Sequence, residues 1–217
     1  MRIIYLPLYL LIPGSSLMHA RRERFALTVP VLGLIWVLLF SVTRWVITPT
    51  GFAAMLTGLA LIHAVTCVYG LTLIRNTHTR LSIIILLVLL NLSITSLSHY
   101  FKTSLYGFGF YYIKSNSMQP TLYPNDVILV NTWLTKRNPI ASNDIVIFQD
   151  TTRTRGLELI KRVARTRQQK EFYVLGDNPR HSMDSRHFGW VDQSVLKAKA
   201  SFIVYSFSEK TKSFISL

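Results

Sequence analysis

Ser117 and Lys161 are the residues whose types and spacing best fit a nucleophile and its base. Ser117 lies in the run Ser115-Asn116-Ser117-Met118-Gln119-Pro120-Thr121-Leu122, just after an apolar stretch of membrane length and 44 residues before Lys161. A serine hydroxyl is a poor nucleophile until a base removes its proton. Lysine can be that base when burial disfavours its charged form. In Leu157-Glu158-Leu159-Ile160-Lys161-Arg162-Val163, strand alternation sets Lys161 on a face with Leu157, Leu159 and Val163, and Glu158, Ile160 and Arg162 on the other. A strand lysine snorkelling past its neighbours fits the same segment. Around Ser117, Asn and Ser disfavour regular structure and Pro120 fixes φ. That suits a nucleophile on a turn, and it equally suits an ordinary polar turn. Acyl transfer also needs donors for the developing oxyanion, about 3–4 kcal/mol for one donor. The nearest are the Ser117 backbone N–H and the Ser115 hydroxyl.

A third polar cluster, Gly176-Asp177-Asn178-Pro179-Arg180-His181-Ser182-Met183-Asp184-Ser185-Arg186, reads as a dense turn. An Asp184–Arg186 pair and side chain–backbone hydrogen bonds would hold it. Such a loop could support a dyad without belonging to it.

These residues need elements to position them. Of the 217 residues, 50% are hydrophobic and the mean hydropathy is +0.32, which favours a membrane class. Three apolar stretches reach the length of about 20 residues that a span requires: Phe25–Ile47, Phe52–Ile74 and Leu81–Tyr100. Ile3–Ile12 is shorter and reads as interfacial or as an extra segment; no clean small-x-small site follows it to mark a cleaved signal. Arg21, Arg22 and Arg24 precede the first span, Arg75 and Arg80 lie between the second and third, and Thr48-Pro49-Thr50-Gly51 carries no charge. Positive loops stay cytoplasmic, so everything after Tyr100 is expected on the extracytoplasmic side.

The net charge is +14, with seven of the 24 Lys and Arg in the first hundred residues and the rest spread among acids in the polar half. This reads as a basic surface near anionic lipid, worth about 1 kcal/mol per well-placed residue. A nucleic-acid partner is not expected, since no recognition motif accompanies the charge. Cys67 is the one cysteine, which excludes an intramolecular disulfide, and a cysteine metal site is not expected. Residues 101–217 read as one β-rich domain, with strands at Val127–Val130, Ile145–Phe148, Leu157–Val163, Phe172–Leu175 and Phe202–Phe207. The expected fold class is therefore N-terminal transmembrane helices, residues 1–100, followed by a mostly-β, antiparallel sheet or barrel-like catalytic domain.

The chain resembles the type I signal peptidases, the membrane-bound Ser/Lys proteases that remove signal peptides from exported proteins. Ser115–Leu122 matches the family's Ser-x-Ser-Met-x-Pro-Thr-Leu box, and Lys161-Arg162-Val163 its lysine box. Asn143-Asp144-Ile145-Val146 resembles its Gly-Asp-Ile-Val strand. Gly176, Asp177, Asn178, Ser182, Asp184, Ser185 and Arg186 match its third box. The resemblance covers about Ile113 to Val191 and leaves the three-span part uncovered. It implies Ser117 as nucleophile and Lys161 as general base. It implies Ser115 and the Ser117 N–H as oxyanion hole, Ser182 as a partner of the Lys161 amine, and Asp184 and Arg186 as braces. Tyr111, Ile113, Met118, Leu122 and Ile160 would line shallow pockets for small residues at −1 and −3. Signal-peptide-bearing preproteins and the lipid bilayer are the implied partners; neither a cofactor nor a metal is expected.

Pro179, Arg180 and His181 depart from the family's Arg-Asp-x, so the bracing must be rewired, and His181 is out of register with a Ser/His variant. The Leu-Pro-Gly-Asp that usually follows the lysine box is absent, as in compact members. The extra spans hint at a dedicated peptidase of a pilus or conjugation system. A self-cleaving repressor would need a DNA-binding helix-turn-helix that is absent, and an inactive membrane scaffold would leave Ser117 unreactive.

Overall fold

The computed structural model describes residues 9, 12–19, 22–73, 81–133, 139–149, 156–168, 170–208 and 213–217. These cluster into two units. One is Met1–Val46 with Thr50–Tyr106, and the other is Ile47–Pro49 with Gly107–Leu217.

The first unit is helical: α1 (Ser15–His19), α2 (Glu23–Val42), α3 (Pro49–Leu73), α4 (Leu81–Tyr100) and α5 (Lys102–Tyr106). Among the described residues, α2 and α3 are long and apolar enough to cross a membrane, and the apolar helix Ile85–Tyr100 is shorter. Their large side chains face outward as well as inward: Leu32, Ile35, Leu61 and Val65 are all exposed by half or more. Apolar residues all round a helix suit a lipid solvent rather than a soluble core. The first helix ends at Val42, five residues short of the expected Ile47. Arg44 takes a left-handed φ of 62° there, and Trp45–Ile47 continue as a 3₁₀ turn. The expected uncharged loop then becomes the first turn of α3, where Pro49 stands at a position needing no N–H donor. Most of Ile3–Ile12, and the orienting residues Arg21, Arg75 and Arg80, lie outside the described residues.

The second unit is one seven-stranded sheet of order β1-β2-β7-β3-β4-β5-β6 with every pairing antiparallel. Its strands are β1 (Phe108–Tyr112), β2 (Val127–Asn131), β3 (Ile145–Gln149), β4 (Glu158–Arg167), β5 (Glu171–Leu175), β6 (Val191–Asp192) and β7 (Leu196–Tyr205). A one-turn helix, α6 (Ser185–Phe188), precedes β6. Apolar side chains cover both faces. Ile145 and Ile147 join Ile113, Met118, Leu122, Ile128 and Ala200 in one core, while Val146 and Phe148 join Val163, Phe172, Val174 and Val191 in the other. Period-two alternation in a strand buried on both sides explains the unbroken Ile-Val-Ile-Phe run. The alternation expected for β4 holds at Leu159 and Val163, which pack in one core, and at Ile160, which packs against the other. Leu157 differs: it precedes β4 and is exposed.

Candidate active site

The Ser117 turn grows from the end of β1. Ile113 follows the strand, donating its N–H to Asp126 O at 2.9 Å and accepting at its carbonyl from Asn125 N at 2.8 Å. Ser115 is extended, and Asn116–Met118 then form a 3₁₀ turn that Gln119 N closes on Asn116 O at 3.3 Å, after which Leu122 N donates to Met118 O at 2.9 Å. Met118 and Leu122 are driven into the core beneath the sheet, which seats Ser117 at 5% exposure. Lys161 comes from β4, paired with Val146 of β3, and is 3% exposed. Its Nζ lies 2.8 Å from Ser117 Oγ and 2.9 Å from the Ile160 carbonyl, and Ser115 Oγ lies 3.1 Å from Ser117 Oγ. Burial pushes the Lys161 ammonium down to about 8, against the charges of Asp184 and Asp177, which pull it up. A lysine in this state yields a substantial neutral fraction near neutral to mildly alkaline pH, as a base requires.

A scan of protein-family models decides the kinship: the signal peptidase, peptidase S26, model matches residues 79–170 and 164–205. The chain belongs to the signal peptidase family. The match spans more than half the chain and reaches back beyond the motifs into α4. No curated protein matches the chain. Family membership makes it a serine peptidase of signal-peptide-bearing substrates, and its apolar helices suit association with a membrane.

Behind the peptidase's lysine, Asp184 is wholly buried and accepts from Gly176 N at 3.0 Å, Ser182 Oγ at 2.7 Å, and the N–H, Nε and Nη2 of Arg186 at 3.2, 2.9 and 2.6 Å. Burial alone would raise its carboxyl, but the bonds from Arg186, Gly176 and Ser182 outweigh it and hold the group well below the usual carboxylate range. Asp184 and Arg186 are thus paired within the loop. The Ser182 hydroxyl differs from expectation. It donates to Asp184, while the Lys161 amine contacts Ser117 and the Ile160 carbonyl. The fully buried carboxylate is the stronger acceptor, so it captures the hydroxyl.

The loop also grips the backbone of the Ser117 turn. Asn178 donates its N–H to Ser117 O at 3.0 Å and its side-chain amide to Asn116 O at 3.1 Å. Gly176 is required by this closeness. A Cβ there would sit 2.1 Å from Ser182 Oγ and 2.6 Å from Ser117 O. His181 and Arg180 are exposed on the 3₁₀ turn Pro179–His181.

The five residues expected to line a pocket come together in one cluster, with Ile113, Met118 and Leu122 buried and Tyr111 and Ile160 partly buried against them. The three buried ones form a floor, leaving Tyr111 and Ile160 to present surface. The Tyr111 hydroxyl is pushed up by burial and by the Glu158 charge.

One network escaped the sequence reading. Arg162 donates Nε to Asp177 Oδ1 at 2.8 Å, Nη2 to Asp177 Oδ2 at 2.7 Å and Nη2 to Thr121 Oγ1 at 3.2 Å. Thr121 Oγ1 in turn donates to Asp177 Oδ2 at 2.6 Å. One residue from each of the three motif segments is thereby tied to the others. The signal was present, since Asp177 and Arg162 sit next to motif glycine and lysine, but separation in sequence hid the pairing.

Proposed function

We propose that the chain is a membrane-anchored serine endopeptidase that removes N-terminal signal or leader peptides from exported proteins, with Ser117 as nucleophile and Lys161 as general base. The observation that carries this reading is the buried 2.8 Å contact between Lys161 Nζ and Ser117 Oγ. The neutral amine takes the hydroxyl proton as Oγ attacks the scissile carbonyl. The Ser117 N–H and the Ser115 hydroxyl, the latter 3.1 Å from Oγ, stabilise the oxyanion. The resulting ammonium gives its proton to the leaving amine, and the C–N bond breaks to leave an ester on Ser117. Lys161, neutral again, takes a proton from water as that water attacks the ester. The product acid leaves and Oγ regains its proton.

Small side chains at −1 and −3 suit a shallow wall made by Tyr111 and Ile160 over the packed Ile113, Met118 and Leu122. Three spans, with residues after Tyr100 on the extracytoplasmic side, remain the topology that the loop charges favour, placing the site at the outer face of the plasma membrane.

The test is cleavage of a small-x-small preprotein by the full chain in detergent. Ser117→Ala should abolish turnover, and Lys161→Ala should lower kcat/KM by about 10²- to 10⁴-fold. Full activity in either variant sinks the dyad.

A further inference from the structure

The rim of the Ser117 turn carries exposed cations with no ion pair among the described residues. Lys114 follows the buried Ile113 and points the other way, exposed, one residue before Ser115. Arg180 is exposed on the 3₁₀ turn that begins directly after Asn178, the residue bonded to the carbonyls of Asn116 and Ser117. Both cations therefore border the nucleophile turn, one entering it and one on the loop clamped to it.

Neither is paired with a carboxylate among the described residues. The two acids of the loop are consumed: Asp177 by Arg162 and Thr121, Asp184 by Arg186, Ser182 and Gly176. Some other basic side chains of the sheet are paired, Lys199 with Asp144, Lys197 with Glu158 and Arg167 with Glu171, while Arg165 of β4 is exposed on a strand away from the Ser117 turn. Among the described residues, Lys114 and Arg180 form no salt bridge.

On the reading above, the acyl half of the substrate lies against Tyr111 and Ile160, an apolar wall. The leaving half is left the outer face of the turn, where Asn116 is exposed, two residues after Lys114 and bonded to Asn178, two residues before Arg180. We propose that Lys114 and Arg180 are specificity residues that favour acidic side chains immediately after the scissile bond, in the first residues of the released protein. This rests on the Ser117–Lys161 reading and adds to it a preference on the leaving side.

Exposed pairs are weak one at a time and screened by salt, so the effect is a moderate, salt-sensitive discrimination. The experiment uses the full chain in detergent and three preproteins identical except for Glu-Glu, Gln-Gln or Lys-Lys at the first two positions after the cleavage site. The wild type should cleave the Glu-Glu substrate with a kcat/KM about three- to tenfold above Gln-Gln, and Lys-Lys below both. The ratio should shrink in 1 M salt and approach one in the Lys114→Gln, Arg180→Gln double variant. Equal cleavage of all three by the wild type, or an unchanged ratio in the double variant, overturns the preference. Ser117→Ala is assayed in parallel. Residual cleavage there overturns the dyad and the preference with it, whereas a flat ratio with Ser117-dependent cleavage overturns the preference alone.

Discussion

The two Asp–Arg clusters beside Lys161 use the same residue types to opposite ends. Asp184 draws its partners from its own loop, at separations of two and eight residues, and is fully buried. Asp177 keeps 15% of its side chain exposed and reaches Arg162 and Thr121 across 15 and 56 residues. The first shapes a loop; the second holds three segments in register. A carboxylate excluded from water must be satisfied by whatever its loop supplies, whereas one at the rim can join distant pieces at less desolvation cost.

That contrast can be broken by single substitutions. The largest stability loss is expected for Asp184→Ala, which leaves the Gly176 N–H and the Ser182 hydroxyl without their buried acceptor. About 3 kcal/mol should disappear from the denaturant unfolding of the full chain in detergent. Asp177→Ala should cost less, about 1–2 kcal/mol, yet lower kcat/KM by about 10- to 100-fold, because the Ser117 turn and β4 lose their tie. A greater stability loss for Asp177→Ala than for Asp184→Ala would reverse the assignment of roles.

Charge offers a finer test. Both carboxylates raise the Lys161 pKa, so removing either negative charge should lower it further. The acid limb of kcat/KM against pH should move to lower pH in Asp184→Asn and Asp177→Asn. Movement to higher pH contradicts the electrostatic account. The smallest effect belongs far from the dyad. Arg167, stacked on Trp190 and paired with Glu171 at the surface, should give up at most about 0.5–1 kcal/mol on conversion to Ala, with kcat/KM unchanged.

The same contrast explains what could be read in advance. Asp184 and Arg186 are two residues apart, so their pairing was legible, as were Ser117 and Lys161 in their motif runs. The Asp177–Arg162–Thr121 network joins residues whose separation carries no local signal. Strand β3 was legible because four consecutive apolar residues fill both cores. Strand β1 was not: Phe108-Gly109-Phe110-Tyr111-Tyr112 is an edge strand with Phe110 and Tyr112 exposed, so no apolar–polar alternation marks it. The early end of α2 turned on a left-handed Arg44, a conformation that side chains other than glycine adopt rarely.

The central claim is that buried Lys161 activates Ser117. It is tested most directly by acylating the full chain in detergent with a serine-directed acyl probe across pH and locating the adduct by mass spectrometry. The account predicts the adduct on Ser117. Its rate should rise with pH to a plateau above about 8, fall about tenfold per unit below it, and be lost in Lys161→Ala. An adduct on another residue, a pH-independent rate, or undiminished labelling in Lys161→Ala would contradict it.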